Sequence, residues 1–272
     1  MRAYSGARAE PFTHTMRHQE RENNVRRSWL VLAGFVVVVL AIGYGLGIAF
    51  GAALIGLIVA AAIALALSLI GYRSGDKIVL RLNGAREVTP QEEPRLHNIV
   101  EGLAMMAGIP KPRVYIVDDE APNAFATGRD PAHASIAVTR GMLDTMNRVE
   151  LEAVIAHELA HVESRDTLAM ALTVTLVGLP ATVLPFMGPL LQATVGPSRE
   201  FYADLTGVQL TRFPPGLISA LEKLKARRTE VHAAARATEP LWIESPLSAG
   251  GLNRLFDTHP PLDERIKLLR EL

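Results

Sequence analysis

His157-Glu158-Leu159-Ala160-His161 sets two imidazoles four residues apart, with a carboxylate directly after the first. On an α-helix such positions differ by about 40° around the axis and one turn along it, so both rings can reach one metal ion. Glu158 then points roughly 100° away from His157, toward the side where a water on that ion would sit. There its carboxylate can take the proton of the water and later deliver it to a departing amine. Zinc lowers the pKa of such a water to about 7. The H-E-x-x-H spacing carries this meaning only inside a helix; two solvated histidines beside a surface glutamate give the same string.

A hydrolytic zinc site takes three protein ligands and keeps one position open for water. The chain has no cysteine, so the candidates for the third ligand are His, Asp and Glu. Glu200 is the best of them. In Glu200-Phe201-Tyr202-Ala203-Asp204 the two carboxylates share a helix face, which lets one ligate while the other orients a ligand histidine through a hydrogen bond. An acidic helix surface has the same spacing, and spacing alone does not separate the two. The lack of cysteine also excludes disulfides, iron–sulfur clusters and thiolate zinc fingers, and suits a domain in reducing cytoplasm.

The elements that must position these residues follow from the hydropathy pattern. Ser28 to Tyr72 is a run of 45 residues without Asp, Glu, Lys or Arg. A signal peptide's apolar region is far shorter, about 7 to 15 residues. As one helix the run would extend roughly 65 Å, about twice the hydrocarbon thickness, so a hairpin of two spans near 29–48 and 51–71 is expected. Gly43, Gly47 and Gly51 recur every fourth residue, which suits close helix packing and a glycine-rich turn equally. Six arginines precede the hairpin and Arg73, Lys77 and Arg81 follow it, so both flanks are expected on the cytoplasmic side. The formal net charge of zero gives no argument for a nucleic-acid partner.

Residues 1–28 read as a flexible basic tail, 29–72 as a transmembrane hairpin, and 73–272 as a metalloprotease domain. Thr89-Pro90-Gln91-Glu92 has capping-box spacing and predicts a helix ending at Gly108. Arg113–Asp118 and Ser135–Thr139 are strand-like, with Asn123–Gly128 between them. Asn147 followed by Glu150 predicts the capped start of the helix that carries His157 and His161. Residues 167–198 form a second uncharged stretch, interrupted by Pro180, Pro185 and Pro189. Since His161 and Glu200 must share one side of the membrane, this stretch crosses twice or not at all. Its 32 residues allow only about 24 Å per leg, so a short membrane-associated insertion is expected. Amphipathic helices follow from Arg199, with a loop expected around 238–250 and a last helix after Thr258-His259-Pro260-Pro261.

Several motifs stand in a familiar order: the apolar hairpin, NAFATG at 123–128, AVTRGML at 137–143, HELAHVESRD at 157–166, EFYAD at 200–204 and THPPLDER at 258–265. Over residues 29–272 the chain resembles the HtpX-type membrane metalloproteases, relatives of the prenyl-protein (CAAX) endoproteases and of mitochondrial membrane-quality-control proteases. The resemblance implies one zinc per chain bound by His157, His161 and Glu200, with Glu158 as general base. It implies that Asn123 and Ala124 lie on an edge strand that holds the substrate backbone by strand addition. Asp204 and Asp166 would orient the ligands, His259 would stabilise the oxyanion, and Arg265 would fix the local geometry.

The expected architecture is mainly α with a small β-sheet (α+β), a helical transmembrane hairpin joined to a zincin-like cytoplasmic domain. The expected activity is zinc-dependent endoproteolysis of membrane or membrane-associated, misfolded polypeptides, in a prokaryotic plasma membrane. Two readings compete with it: processing of prenylated C-termini, and a non-catalytic membrane scaffold that keeps zinc for structure.

Overall fold

The computed structural model describes residues 14–183, 198–227, 230–246 and 259–272. Helices α1 (His14–Ala49) and α2 (Ala53–Leu82) form a hairpin, and both are long and apolar enough to cross a membrane. Their large side chains point outward: Ile42, Leu46, Leu54, Ile55, Ile58 and Leu65 are all exposed. The glycine repeat divides between its two explanations. A Cβ on Gly43 would lie 2.2 Å from that of Ala60, so this glycine permits helix contact, whereas Gly51 takes φ +69° in the turn.

The flexible tail expected through residue 28 needs correction from His14 onward, because α1 begins there. Its polar start packs on the globular domain: Arg17 reaches Glu163 and Gln209, both at 3.1 Å, and the Asn24 amide donates to the Ser164 carbonyl at 3.1 Å. Helix α2 is likewise longer than its apolar run. At 1.5 Å per residue it extends about 45 Å against a hydrocarbon core near 30 Å. Its charged last third, after Tyr72, therefore continues the apolar part as one rod and buries Val79 and Leu80 in the domain.

Strands β1 (Arg86–Glu87), β2 (Arg113–Val117), β3 (Ala124–Gly128) and β4 (Ala134–Thr139) form a sheet in the order β1-β2-β4-β3. The β2–β4 pairing is parallel and the other two are antiparallel. Alternate residues face opposite sides. Val114, Ile116, Ile136 and Val138 meet helices α3 (Pro94–Ala107) and α5 (Arg148–Ser164) in the main core. Tyr115, Val117, Phe125 and Ala137 meet the end of α2, Met170 and Trp242. Both faces are covered, which is why these strands read as continuous apolar runs.

Helix α3 starts later than its apparent capping box. The Thr89 amide does donate to Glu92 at 2.7 Å, and the Glu92 amide to Thr89 Oγ1 at 3.3 Å, but they close only a turn. Pro94 disfavours helical backbone at Glu93, which sits at φ −132°, ψ 66°, so the helix begins at the proline. It ends where expected, with Gly108 at φ 68°.

Short helix α4 (Arg140–Thr145) leads to α5, where Asn147 and Glu150 form a reciprocal capping box. The chain then turns into α6 (Asp166–Thr173) and a π-helical turn at Val174–Gly178, which pack along α1 and α2, and then into α7 (Leu179–Val183). The remainder of the expected 167–198 insertion lies outside the described residues. Helices α8 (Ser198–Thr211), α9 (Pro214–Ala226) and α10 (Leu262–Arg270) complete the domain. A 3₁₀ turn at Arg236–Leu241 occupies the start of the loop expected at 238–250.

Candidate metal centre

Helix α5 is buried almost all round from Glu150 to Val162, so His157, Glu158 and His161 lie in the interior rather than on a wet face. Helix α8 crosses it closely. A Cβ on Gly207 would meet the His157 backbone nitrogen at 2.9 Å, so only glycine permits this approach. The crossing brings Glu200 and Asp204 onto the two histidines.

The three expected ligands converge: His157, His161 and Glu200 each offer a donor atom, all within 4.8 Å of one another. The two Nε2 atoms are 3.1 Å apart, and His157 Nε2 lies 3.4 Å from a Glu200 oxygen. The opposite ring nitrogens are engaged elsewhere. His157 Nδ1 faces Asp204 at 2.9 Å and His161 Nδ1 faces Asp166 at 2.7 Å. A proton held at Nδ1 leaves the Nε2 lone pair for a metal. Asp166 reaches His161 because Arg165 adopts a left-handed conformation, φ 59°, and turns the chain back on itself.

Arg265 joins the second carboxylate to the rest of the site. It donates to Asp204 twice, at 2.8 and 2.7 Å, lies 3.3 Å from Glu200, and donates to the Ile243 carbonyl at 2.8 Å. Burial works against the charge of Glu200, but Arg199, His157, His161 and Arg265 hold its carboxyl well below the usual range. Burial likewise opposes ionisation of Asp204, and Arg265 outweighs it. Glu158 differs: burial pushes its carboxyl up. Among the described residues, neither oxygen of Glu158 has a hydrogen-bond partner, whereas Glu200 Oε2 keeps the longer ion-pair contacts to Arg265 and His157.

These orphaned atoms test the site for a metal. The two Nε2 atoms face each other at 3.1 Å, and the buried Glu158 oxygens lack donors among the described residues, which is costly. A divalent cation would give both Nε2 atoms and Glu200 a common partner beside Glu158. Two imidazoles and one carboxylate, with their outer atoms fixed by aspartates, are a donor set that fits such an ion.

His259 stands apart from the ligand cluster. Its Nδ1 faces Glu239 at 3.1 Å and its Nε2 faces the Trp242 carbonyl at 2.5 Å. Burial pulls its pKa down, but the Glu239 carboxylate outweighs this and carries it up to about 8. Two acceptors on one ring call for an imidazolium. Asn123 is buried, donating from its side chain to the Glu244 carbonyl at 2.8 Å and accepting from Ala124 at 3.0 Å. Ala124 opens the outer strand β3, as an edge-strand residue should. That edge is not vacant: Ile243 donates to the Ala124 carbonyl at 3.0 Å, and Phe125 pairs with Trp242. The chain's own residues thus satisfy part of the edge expected to hold substrate.

Arg199, Glu239 and Gly207 were not among the residues singled out from the sequence. Arg199 donates to Glu200 at 3.0 Å and lies 3.6 Å from Asp166, linking both histidine-bearing ends of the cluster. Its only sequence signal is a cation beside a candidate ligand at the end of a long uncharged stretch.

Comparison with known proteins places this geometry among relatives. Residues 90–272 match the model of peptidase family M48. The "Protease HtpX homolog" of Dictyoglomus turgidum is 36% identical over 293 residues, covering 96% of this chain and 95% of that one. The protein of the same name from Lactobacillus helveticus is 37% identical over 299 residues, covering 94% and 100% respectively. Among solved structures, S. mikatae Ste24p aligns at a TM-score of 0.49 with 15% identity, over 92% of this chain and 66% of that one.

Proposed function

The chain belongs to peptidase family M48, and from that premise we propose that it is a zinc-dependent endopeptidase acting on membrane or membrane-associated, misfolded polypeptides at the cytoplasmic membrane surface. The observation that carries the proposal is the pairing of a His157–His161–Glu200 cluster with the buried, unpartnered carboxylate of Glu158. Zinc held by those three side chains would supply Lewis acidity toward the scissile carbonyl and toward water.

The chain's own residues supply the proton chemistry. Glu158 lies one residue past a candidate ligand, with no hydrogen-bond donor among the described residues and a carboxyl raised by burial. It is suited to accept a proton from the attacking water and pass it to the amine as the peptide bond breaks. Asp204 and Asp166 hold the imidazoles by their Nδ1 atoms, and Arg265 keeps Asp204 ionised. His259, charged by Glu239, gives its Nε2–H to the Trp242 carbonyl in this structure, and would offer it to the negative oxygen of the tetrahedral intermediate once that carbonyl moves away. Helix α2 runs without a break from the apolar hairpin into the domain, so the site stays close to the bilayer. The basic flanks of the hairpin support the cytoplasmic orientation.

Glu158→Gln tests the assignment on full-length protein in detergent, with unfolded casein as substrate. Zinc should remain at one per chain while cleavage falls by about 10²- to 10⁴-fold. Full cleavage by the glutamine variant would remove Glu158 from the mechanism. Bound zinc without cleavage of casein in the wild type would favour the scaffold.

A further inference from the structure

Resting on the protease reading, we propose that residues 242–244, which lie along the outer edge of β3 through the bridge between Trp242 and Phe125, act as a resident strand in the substrate's place, and that a polypeptide substrate binds by displacing them. An edge strand recognises an extended partner through main-chain groups, whatever chain supplies them. Here the partner comes from the same molecule. Ile243 donates to the Ala124 carbonyl at 3.0 Å, and the side chain of Asn123 donates to the Glu244 carbonyl at 2.8 Å. The Trp242 carbonyl faces His259 at 2.5 Å, and the Ile243 carbonyl accepts from Arg265 at 2.8 Å. Arg265 lies 3.3 Å from the candidate ligand Glu200, so the strand ends its path beside the metal centre. The donors that a substrate would need are therefore engaged by carbonyls already present.

The side chains support a displaceable occupant. Trp242 packs edge-on against Phe125, with ring centroids 4.7 Å apart, and is fully buried. Its indole N–H has no acceptor among the described residues. A buried indole normally finds an acceptor, so Trp242, without one among the described residues, is held less firmly than its burial alone would give. The space it fills would accept a large apolar side chain that leaves no donor unpaired, so substrates should carry Phe, Leu or Met at that point. The segment is anchored on both flanks: Asn83, at the end of α2, accepts from the Thr238 hydroxyl at 2.7 Å and the Ala235 amide at 3.2 Å, and the Val231 amide donates to the Pro246 carbonyl at 3.0 Å. Residues 242–244 can then leave β3 while both anchors hold.

Hydrogen exchange on full-length Glu158→Gln in detergent, with and without saturating casein, tests the proposal. Binding should speed exchange of the Ile243 amide by about tenfold or more while the β3 amides stay protected. Casein bound, as read by fluorescence anisotropy, with Ile243 as protected as before would overturn the resident strand and leave the protease reading intact. Failure of the wild type to cleave casein, with no binding by Glu158→Gln, would instead overturn the protease reading and this proposal with it. A peptide copy of residues 239–246 should inhibit cleavage competitively, and its Trp242→Ala version should not; absence of inhibition by the unaltered peptide would also count against the proposal.

Discussion

Helices α2 and α5 are both rich in Ala, Leu, Ile and Val, yet they solve opposite problems. In α5, Leu151, Val154, Ile155 and Leu159 are fully buried, and the buried polar residues between them, His157 and Glu158, serve the candidate metal centre. In α2, Leu54, Ile55 and Ile58 are exposed, while the small residues Gly56, Ala60 and Ala64 face the partner helix or lie buried. Water drives large apolar side chains inward, but lipid does not, so the hairpin is held by close backbone approach. The contrast shows that helix packing in this chain follows its solvent rather than its composition.

Breaking the α5 side of the comparison should cost most. Arg265→Leu leaves Asp204 charged and buried without its partner, and should lower stability by about 3–5 kcal/mol with loss of cleavage, read by thermal unfolding in detergent. On the hairpin side, Gly56→Ala places a methyl 2.3 Å from the Gly43 carbonyl oxygen. It should cost up to about 3 kcal/mol, measured as the unfolding of the hairpin in micelles. His259 tests how far burial and charge are balanced near the site. Its pKa rises from 6.5 to about 8 on folding, so its contribution is fully present below pH 6.5 and is lost as pH rises through 8. The stability gap between wild type and His259→Gln should therefore shrink by about 2 kcal/mol between pH 6 and pH 9. Smallest of all, Ile58→Ala on the outer face of the hairpin should stay within about 0.5 kcal/mol, since that side chain is 60% exposed among the described residues. A loss as large as a core truncation would mean that another protein surface covers this face.

How much could be read in advance follows the range of the interactions. The Asn147–Glu150 cap, the Gly108 stop and the metal-ligand spacing of α5 involve residues within four positions of each other, and each appears in the structure. The start of α3 was misread because the restriction that Pro94 places on Glu93 outweighs the capping box at Thr89. The tail was misread because its helix is stabilised by partners such as Glu163 and Ser164, far along the chain. Arg199 and Glu239 escaped notice for the same reason, since a charged residue shows its role only when its buried partner is known.

By itself, the amino-acid sequence determined the local geometry: two imidazoles one helical turn apart, a carboxylate beside them, and a hairpin too apolar to remain in water. These depend on the period of the helix and on transfer free energies, which act residue by residue. Only the tertiary structure decided that Gly207 lets α8 approach, that Asp204 and Asp166 reach the outer nitrogens of the histidines, and that residues 242–243 lie along β3. Contacts between distant segments depend on how whole elements fill a shared core, and that packing is a property of the folded chain.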